Sequence, residues 1–280
     1  MTGLRVFKLG GELLDDPAHL SALASAIAAA PGPLVVVHGG GREIDRALAR
    51  AGIAKRQVDG LRVTDDATLQ VVVEVLAGAV NTRFVTAIVQ AGGRAVGLTG
   101  ADAGLVPVIK ARAHRAVNGE VVDLGHVGQP SGTGRPDLAL DLARGGYVPV
   151  VASVAASSDG ALYNVNADTM AADLAARLGA EVLVIAGTTA GVLDEAGRTI
   201  ATLDAGAAEA LITSGVASAG MIAKLTACRD AVTRGVGEVL LLDGRDVQAV
   251  AAALGATRSE RTTMTRMANA GDQARMENVQ

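Results

Sequence analysis

Two lysines of this 280-residue chain lie near glycines, and together with an aspartate in a polar cluster they form a set that suits the binding of phosphate groups. Lys8 is near the end of an apolar segment that runs into Gly10 and Gly11, Asp168 lies in the polar cluster NVNAD, and Lys224 follows a glycine-methionine pair. Glycines let backbone N–H groups approach an anion closely. A buried lysine needs a counter-charge or a ligand because desolvating an unpaired ammonium group is costly. Together these residues favour a phosphoryl-transfer site.

The segment around Asp168 predicts the start of a helix. Residues 161–187 have the pattern of a loop, a helix, a short glycine turn and a buried strand. Asn166 suits the N-cap position, and Asp168 falls in the first turn, where the positive end of the helix dipole favours a carboxylate. The two residues could serve only as caps. The glycine-rich strand ends and the two lysines favour a catalytic role for Asp168.

A glycine triplet, GGG at 39–41, separates the apolar segment 34–38 from a helix predicted to begin at Arg42. Strand, glycines and helix N-terminus together form the geometry of an anion site. A dinucleotide-binding fingerprint would need glycine at Ile44, and the Walker A pattern occurs nowhere in the sequence. An esterase oxyanion loop would need a G-x-S-x-G elbow, which is also missing from the sequence. We therefore exclude these three kinds of site.

Two further segments contain candidate binding residues. Arg62 precedes a long helical region, and its guanidinium group suits a carboxylate, although a solvated surface arginine fits the sequence equally well. The glycine-rich loop 187–194 follows an apolar strand and suits a nucleotide. We expect Lys224 to open a helix that ends near residue 233.

The remaining segments predict further strands and a polar end. Residues 106–109 and 121–124 have the pattern of a hairpin around Asn118-Gly119. The apolar segment 239–242 is expected to close the sheet. From about residue 257 the chain is polar, and we expect no core segment there.

Composition excludes several classes of protein. Alternating alanine-rich helices and Val/Leu-rich strands predict an α/β protein with a parallel sheet. No uninterrupted apolar run reaches the roughly 18–20 residues of a membrane span, and no signal peptide is visible. A single cysteine suits a reducing cytoplasm. A net charge of −4 and four scattered histidines predict neither a nucleic-acid surface nor a metal site.

Five motifs, in this order along residues 4–243, resemble those of the amino acid kinase family: KLGG (8–11), HGGG (38–41), GLRVT (60–64), NVNAD (164–168) and GMxxK (220–224). GLRVT and NVNAD resemble the branch of the family that acts on acetylglutamate. The resemblance implies an open αβα sandwich with a mainly parallel central sheet and two lobes. Residues 1–180 would form the N-terminal lobe that binds the acyl amino acid, residues 181–262 the C-terminal ATP lobe, and residues 263–280 a disordered polar tail.

The resemblance also implies an activity and site residues. ATP would phosphorylate the side-chain carboxylate of N-acetyl-L-glutamate, as in arginine biosynthesis, with Mg²⁺ held mainly by ATP oxygens. Lys8 and Lys224 would neutralise phosphoryl charge, and Asp168 would hold both ammonium groups. Substrate binding would fall to Gly40, Gly41, Arg62 and Asn164. ATP and its phosphates would be bound by Gly10, Gly11, Gly187, Thr188, Thr189, Gly191, Gly220 and Met221.

Two residues depart from the family pattern, which usually has Asp where this chain has Thr188 and Gly or Asp where it has Ala219. Two other functions stay open. One is the same chemistry on an acetylated or carrier-linked 2-aminoadipate, as in lysine biosynthesis, and the other is a non-catalytic nucleotide-binding sensor. The family resemblance and the apolar helix near residues 66–76 predict a homodimer. The resemblance also associates hexamer rings and arginine feedback with a helix ahead of the first strand. Because only three residues precede Leu4, we expect a dimer whose activity is insensitive to free arginine.

Overall fold

The computed structural model describes residues 3–116, 119–194, 196–213, 219–255 and 264–268. In these residues the strands are β1 (Arg5–Leu9), β2 (Leu34–His38), β3 (Gln57–Val58), β4 (Leu61–Arg62), β5 (Ala95–Thr99), β6 (Val108–Lys110), β7 (His114–Arg115), β8 (Val121–Val122), β9 (Val127–Pro130), β10 (Val148–Ala152), β11 (Val154–Ala156), β12 (Leu162–Val165), β13 (Val182–Gly187), β14 (Thr202–Leu203), β15 (Glu238–Asp243) and β16 (Met264–Met267). The α-helices are α1 (Pro17–Ala28), α2 (Gly41–Arg50), α3 (Asp66–Val73), α4 (Asn81–Gln90), α5 (Asp137–Arg144), α6 (Ala167–Leu178), α7 (Ala205–Thr213), α8 (Ala219–Thr233) and α9 (Val247–Ala253).

Eight strands form the central sheet, in the order β14-β16-β15-β13-β1-β2-β10-β5. The six strands from β15 to β5 are parallel, and β16 pairs antiparallel with β15. Helices α5 to α8 contribute to the core on one face of the sheet, and α1, α4 and α9 pack on the other face. The predicted αβα sandwich with a mainly parallel sheet is therefore confirmed.

The middle of the sheet contains the point where its winding direction changes. From β1 the chain proceeds to β2 on one side, and from β13 it proceeds to β15 on the other side. Because β1 and β13 are neighbours, this point of the topology lies between them, at their carboxyl ends. Such a position is where open α/β sheets bind ligands.

Alternation along β1 decides which side chains face which helices. Val6 packs with α6 in one core cluster, whereas Phe7 and Leu9 pack with α1 in the other. Successive side chains of a strand point to opposite faces of the sheet. Lys8 therefore shares the face of Val6 and points toward α6, the helix that carries Asp168.

Among the described residues, one helix is long and apolar enough, by length and composition, to cross a membrane. α3 continues through a π-helical stretch (Glu74–Val80) into α4, and the 25 residues Asp66–Gln90 include an 18-residue window with a mean hydropathy of 1.6. Of that window, 44% is buried, and Phe84 lies in the protein core, as in a core helix of a globular protein. The helix contains no uninterrupted apolar run of membrane-spanning length, because Glu74 and residues 81–83 interrupt it.

The prediction of a polar tail without core contacts is wrong for β16. Thr265 and Met267 are fully buried, Arg266 between them is exposed, and β16 pairs with β15 and β14. The sheet therefore continues beyond β15, which was expected to close it. Four residues carry too weak a local signal for a strand, and pairing with distant segments supplies the stability. The rest of the predicted tail lies outside the described residues.

Two other local predictions are also wrong. Helix α8 begins at Ala219 instead of at Lys224, so the motif GMxxK forms its first turns. The expected hairpin is divided between two pairings, because β6 pairs with β9 and β8 pairs with β7. Strands of two or three residues do not determine their own partners, and long-range packing selects them.

Candidate active site

The centre of the site is an ion-paired group of three charged side chains. Lys8 Nζ lies 2.7 Å from Asp168 Oδ1, and Lys224 Nζ lies 4.0 Å from Asp168 Oδ2. The side chains of Lys8 and Asp168 are 7% and 8% exposed, and that of Lys224 is 25% exposed. One buried carboxylate thus lies between two ammonium groups, leaving a local charge of +1 at the carboxyl end of β1.

Local structure explains the position of Asp168. Asn166 is the N-cap of α6, and its Oδ1 accepts hydrogen bonds from the backbone N–H groups of Asp168 and Thr169, at 2.9 and 3.1 Å. The predicted N-cap is therefore confirmed. Lys224 projects from α8, which packs against α6. A Cβ atom on Gly187 would lie only 3.4 Å from Lys224 Cε, so this lysine lies over the end of β13.

The two glycine loops after β1 and β2 are in direct backbone contact. A Cβ atom on Gly11 would lie 2.9 Å from the Gly40 nitrogen, and one on Gly39 would lie 3.4 Å from Cβ of Ala167 in α6. Gly40 is the N-cap of α2, and Gly41 is its first residue. The first N–H groups of a helix lack partners within the helix, so this end of α2 suits an anion.

Gly10 differs from the other predicted phosphate-binding glycines. Its N–H group donates to the carbonyl of Ala186 at 3.3 Å, so the backbone donor is already engaged. The Glu12 side chain lies over it, because a Cβ atom on Gly10 would fall 2.6 Å from Glu12 Cδ. The role of Gly10 in this geometry is close packing of the loop.

Arg62 and Asn164 lie on the small sheets beside the glycine triplet. Arg62 is 9% exposed, ion-pairs with Asp45, and donates from Nη2 to the carbonyl of Gly41 at 3.2 Å. Its Nη1 is buried without a hydrogen-bond partner among the described residues. Asn164 Nδ2 donates to Thr64 Oγ1 at 3.2 Å. A buried guanidinium nitrogen with unused donors suits a carboxylate ligand.

The loop after β13 contains the predicted nucleotide-binding residues Gly187, Thr188, Thr189 and Gly191. The carbonyl of Thr188 accepts a hydrogen bond from Arg245 Nη2 at 2.8 Å. Thr189 Oγ1 donates to the carbonyl of Gly191 at 3.2 Å, and Gly191 has a φ of +119°, which favours glycine. Of the other two predicted residues, Gly220 is exposed, and Met221 is half-buried against the core.

Thr265 of β16 is a residue that the sequence analysis missed. It is fully buried; its Oγ1 accepts from the N–H of Val192 at 2.8 Å and donates to the carbonyl of Ile200 at 2.7 Å. These bonds tie the strand to the loop that begins at Gly187. No local signal indicates this role, because it depends on the pairing of β16 with β15.

A preformed metal site is not found in the part of the chain that the structure describes, where no cluster of three or more His, Cys, Asp or Glu side chains could hold an ion. The two lysines and Asp168 give this region ammonium groups rather than several carboxylates. The donor set fits phosphate oxygens, and a metal ion would need oxygens from a ligand.

Comparisons with known proteins agree with these features. The sequence profile described as "Amino acid kinase family" matches residues 3–243. A relative named acetylglutamate kinase, from Sphingopyxis alaskensis, is 41% identical over 93% of this chain and 88% of its own length. Another of that name, from Chloroflexus aurantiacus, is 41% identical over 87% of this chain and 93% of its own length.

Solved structures share the fold. N-acetylglutamate synthase from Neisseria gonorrhoeae, complexed with coenzyme A and N-acetyl-glutamate, superposes with a TM-score of 0.78 and 26% identity. The match covers 95% of this chain but only 59% of the synthase chain. Carbamate kinase from Giardia lamblia bound to AMP-PNP has a TM-score of 0.68 at 13% identity, covering 95% of this chain and 98% of its own.

Proposed function

The chain belongs to the amino acid kinase family, and we propose that it transfers the γ-phosphoryl group of ATP to the side-chain carboxylate of N-acetyl-L-glutamate. The product is N-acetyl-L-glutamyl 5-phosphate, an intermediate for arginine biosynthesis. Relatives named acetylglutamate kinase at 41% identity over most of the chain support this assignment. The observation that carries it is the ion-paired group at the end of β1, in which the buried Asp168 lies between the buried Lys8 and the partly exposed Lys224.

In this mechanism the protein contributes position and positive charge. A carboxylate oxygen of the acceptor forms a bond to the γ-phosphorus while the bond from that phosphorus to the bridging oxygen of ADP breaks. Negative charge spreads over the transferring group, and fixed ammonium groups and backbone N–H donors stabilise it. Lys8 and Lys224 supply the charge, and Asp168 holds both ammonium groups in place. No covalent enzyme intermediate is required.

The acceptor is assigned to the half of the chain that ends near residue 180. Arg62 Nη1 is the donor for its α-carboxylate, Asn164 contacts the neighbouring polar atoms, and the N–H groups of Gly40 and Gly41 face the reacting carboxylate or the phosphoryl group. Burial of Arg62 and its unused donors support this assignment. This arrangement requires an acceptor with two carboxylates, one bound by Arg62 and one that reacts.

ATP is assigned to the other half, from about residue 181 to 262. Gly187, Thr188, Thr189 and Gly191 lie in the loop after β13, and Gly220 and Met221 form the start of α8. Together with Gly11 they make up the ATP side of the site, whereas Gly10, whose N–H is bonded to Ala186, serves the packing of the loop. Mg²⁺ is expected to bind mainly through phosphate oxygens, as this ion commonly does. Thr188 and Ala219 replace residues usual in the family, so the contacts to the nucleotide differ in detail.

A coupled assay of ADP release tests the acceptor directly. We expect kcat/KM to be higher for N-acetyl-L-glutamate than for N-acetyl-L-2-aminoadipate. One methylene group is worth about 1–3 kcal/mol, or roughly 10- to 200-fold, in a fitted pocket. A reversed preference would assign the chain to the longer substrate. ATP binding without ADP release from either acceptor would instead favour the nucleotide sensor.

Replacing Arg62 with lysine should raise the KM for N-acetyl-L-glutamate by about tenfold or more, with a much smaller change in the KM for ATP. Lysine keeps the charge but loses the planar fork that binds a carboxylate through two nitrogens. Initial-rate kinetics with each substrate varied in turn measure both constants. Lys55→Arg is a control, because Lys55 also ion-pairs with Asp45 and its side chain is 43% exposed. Equal increases in both KM values for Arg62→Lys would contradict the assignment.

We propose that the protein is a cytoplasmic homodimer, with the helix Asp66–Gln90 at the interface. This helix is strongly apolar, yet less than half of its most apolar window is buried, and Val89 is 52% exposed. An exposed apolar side chain on such a helix suits contact with another chain. Light scattering should give about twice the mass of one chain, and Val89→Glu should shift the mass toward that of the monomer. A monomer in wild-type protein would contradict this interface.

A further inference from the structure

A buried polar network lies behind the glycine triplet, on the face of the sheet opposite Lys8. His38, the last residue of β2, is fully buried, and its Nδ1 lies 3.0 Å from the carbonyl oxygen of Gly39. Its Nε2 lies 3.0 Å from Asn81 Nδ2, which also lies 2.8 Å from the carbonyl oxygen of Val150. The ring packs edge-on against Phe84 of α4.

The partners determine the protonation of the ring. The carbonyl oxygen of Val150 can only accept, so the amide nitrogen of Asn81 must face it, and its second hydrogen points to His38 Nε2. The carbonyl of Gly39 can also only accept, so Nδ1 carries the proton and Nε2 is the acceptor. Burial lowers the pKa of His38 to about 4, and the ring is therefore neutral near pH 7.

The bond to Gly39 determines where the next N–H group points. Gly39 C=O and Gly40 N–H belong to one trans peptide, so they point in opposite directions. Alternation along β2 places His38 on the α4 side of the sheet, with Leu34 and Val36. Holding the carbonyl of Gly39 on that side directs the N–H of Gly40 toward the side of Lys8 and Asp168.

The neighbouring residues leave this peptide little freedom to rotate. A Cβ atom on Gly11 would approach the Gly40 nitrogen to 2.9 Å, so the loop after β1 lies directly against it. Asn81 follows the π-helical stretch of the long helix, an irregularity that often occurs at functional sites. Gly97 of β5 leaves the space that the Asn81 amide occupies, because a side chain there would collide with Asn81 Oδ1.

We propose that His38 and Asn81 are positioning residues for phosphoryl transfer. Asn81 holds His38 in the neutral tautomer with the proton on Nδ1, and His38 holds the Gly39–Gly40 peptide so that the N–H of Gly40 is directed at the transferring phosphoryl group. This inference rests on the proposed phosphoryl transfer. His38 and Asn81 are buried and act on the reaction without contacting either substrate.

Two substitutions at His38 distinguish the loss of the hydrogen bond to Gly39 from the loss of the imidazole ring. The amide nitrogen of asparagine stands the same number of bonds from Cα as Nδ1 of histidine, so His38→Asn can restore the bond to Gly39, whereas His38→Leu cannot. Removing one preorganised donor typically lowers kcat about 10²- to 10³-fold. We expect that loss in His38→Leu and Asn81→Leu, with both KM values changing less than about threefold. The kcat of His38→Asn should be at least about tenfold higher than that of His38→Leu.

Activity must be separated from stability. Ile88→Ala removes buried volume near the C-terminal end of α4, the helix that begins with Asn81, and should lower the melting temperature while leaving kcat per folded molecule unchanged. His38→Leu with unchanged kcat, or His38→Asn no better than His38→Leu, would overturn the proposal.

A spectroscopic measurement tests the network independently of turnover. Nitrogen NMR of the His38 imidazole in wild-type protein should show a neutral ring with the proton on Nδ1 near pH 7, and Asn81→Leu should weaken that preference. A ring protonated on Nε2, or charged, would overturn the proposal even in an active enzyme. Wild-type protein with the expected tautomer but no ADP release would instead contradict the proposed function.

Discussion

Asp168→Asn should lower kcat at least about 10²-fold while leaving the KM for each substrate within a few-fold. The amide keeps the shape of the carboxylate and its place in the first turn of α6, but it removes the one anion that holds Lys8 at 2.7 Å and Lys224 at 4.0 Å. Two ammonium groups without a shared anion repel each other and lose their positions. Fixed charge at a developing anion is the main catalytic contribution in this mechanism. Initial-rate kinetics, normalised to folded protein, measure the effect.

The same helix offers a matched control at Asp173. This carboxylate is also buried, with a side chain that is 3% exposed, and ion-pairs with Arg177 at 2.7 Å and Arg234 at 3.0 Å. Breaking a buried pair costs about 3–5 kcal/mol of stability, so both Asn variants should unfold at lower urea concentration. Only Asp168→Asn should lose kcat per folded molecule. Equal kcat losses in the two variants would make Asp168 a structural residue.

Local chemistry made some elements predictable from the sequence. Asp16, Asp65 and Asn166 are N-caps whose side chains accept from backbone N–H groups two or three residues ahead. Such bonds depend only on neighbouring residues, so a sequence can indicate them. The pairing of Lys8 with Asp168 was expected from the family resemblance, and the alternation of β1 explains why these side chains share one face of the sheet.

Other features could not be predicted from the sequence, because they depend on long-range contacts. Thr265 lies in four residues of a polar segment, and only its partners in β15 and the loop at Val192 make it part of the fold. His38 and Asn81 are 43 positions apart, and the sequence analysis assigned Asn81 no role. Gly10 was expected to bind phosphate, although its N–H is used by Ala186 of the neighbouring strand. Each of these depends on which strands become neighbours.

Lys8→Met should reduce kcat by about 10²- to 10³-fold, the typical cost of losing one fixed donor at a developing anion. Methionine keeps an unbranched apolar side chain of similar length, so the packing beside Val37 and Ile185 on the neighbouring strands is largely retained. The ammonium group is lost, and among the described residues Lys224, at 4.0 Å, is then the one ion-pair partner left to Asp168. Because Asp168 stays buried, we also expect about 3–5 kcal/mol less stability, measured by urea unfolding.

Lys110, a surface lysine, is a control that shows whether loss of any ammonium group lowers kcat or only loss of the one at Lys8. Lys110→Met removes an ammonium group that is 51% exposed and paired with Asp123, which is 64% exposed, so neither stability nor kcat should change by more than a small amount. Lys8→Arg tests the geometry, because it keeps the charge but places a planar guanidinium where a compact ammonium donates. We expect Lys8→Arg to remain at least about tenfold below wild type in kcat. If Lys8→Met kept wild-type kcat per folded molecule, the charge at Lys8 would not act on the transferring group, and the mechanism would be wrong.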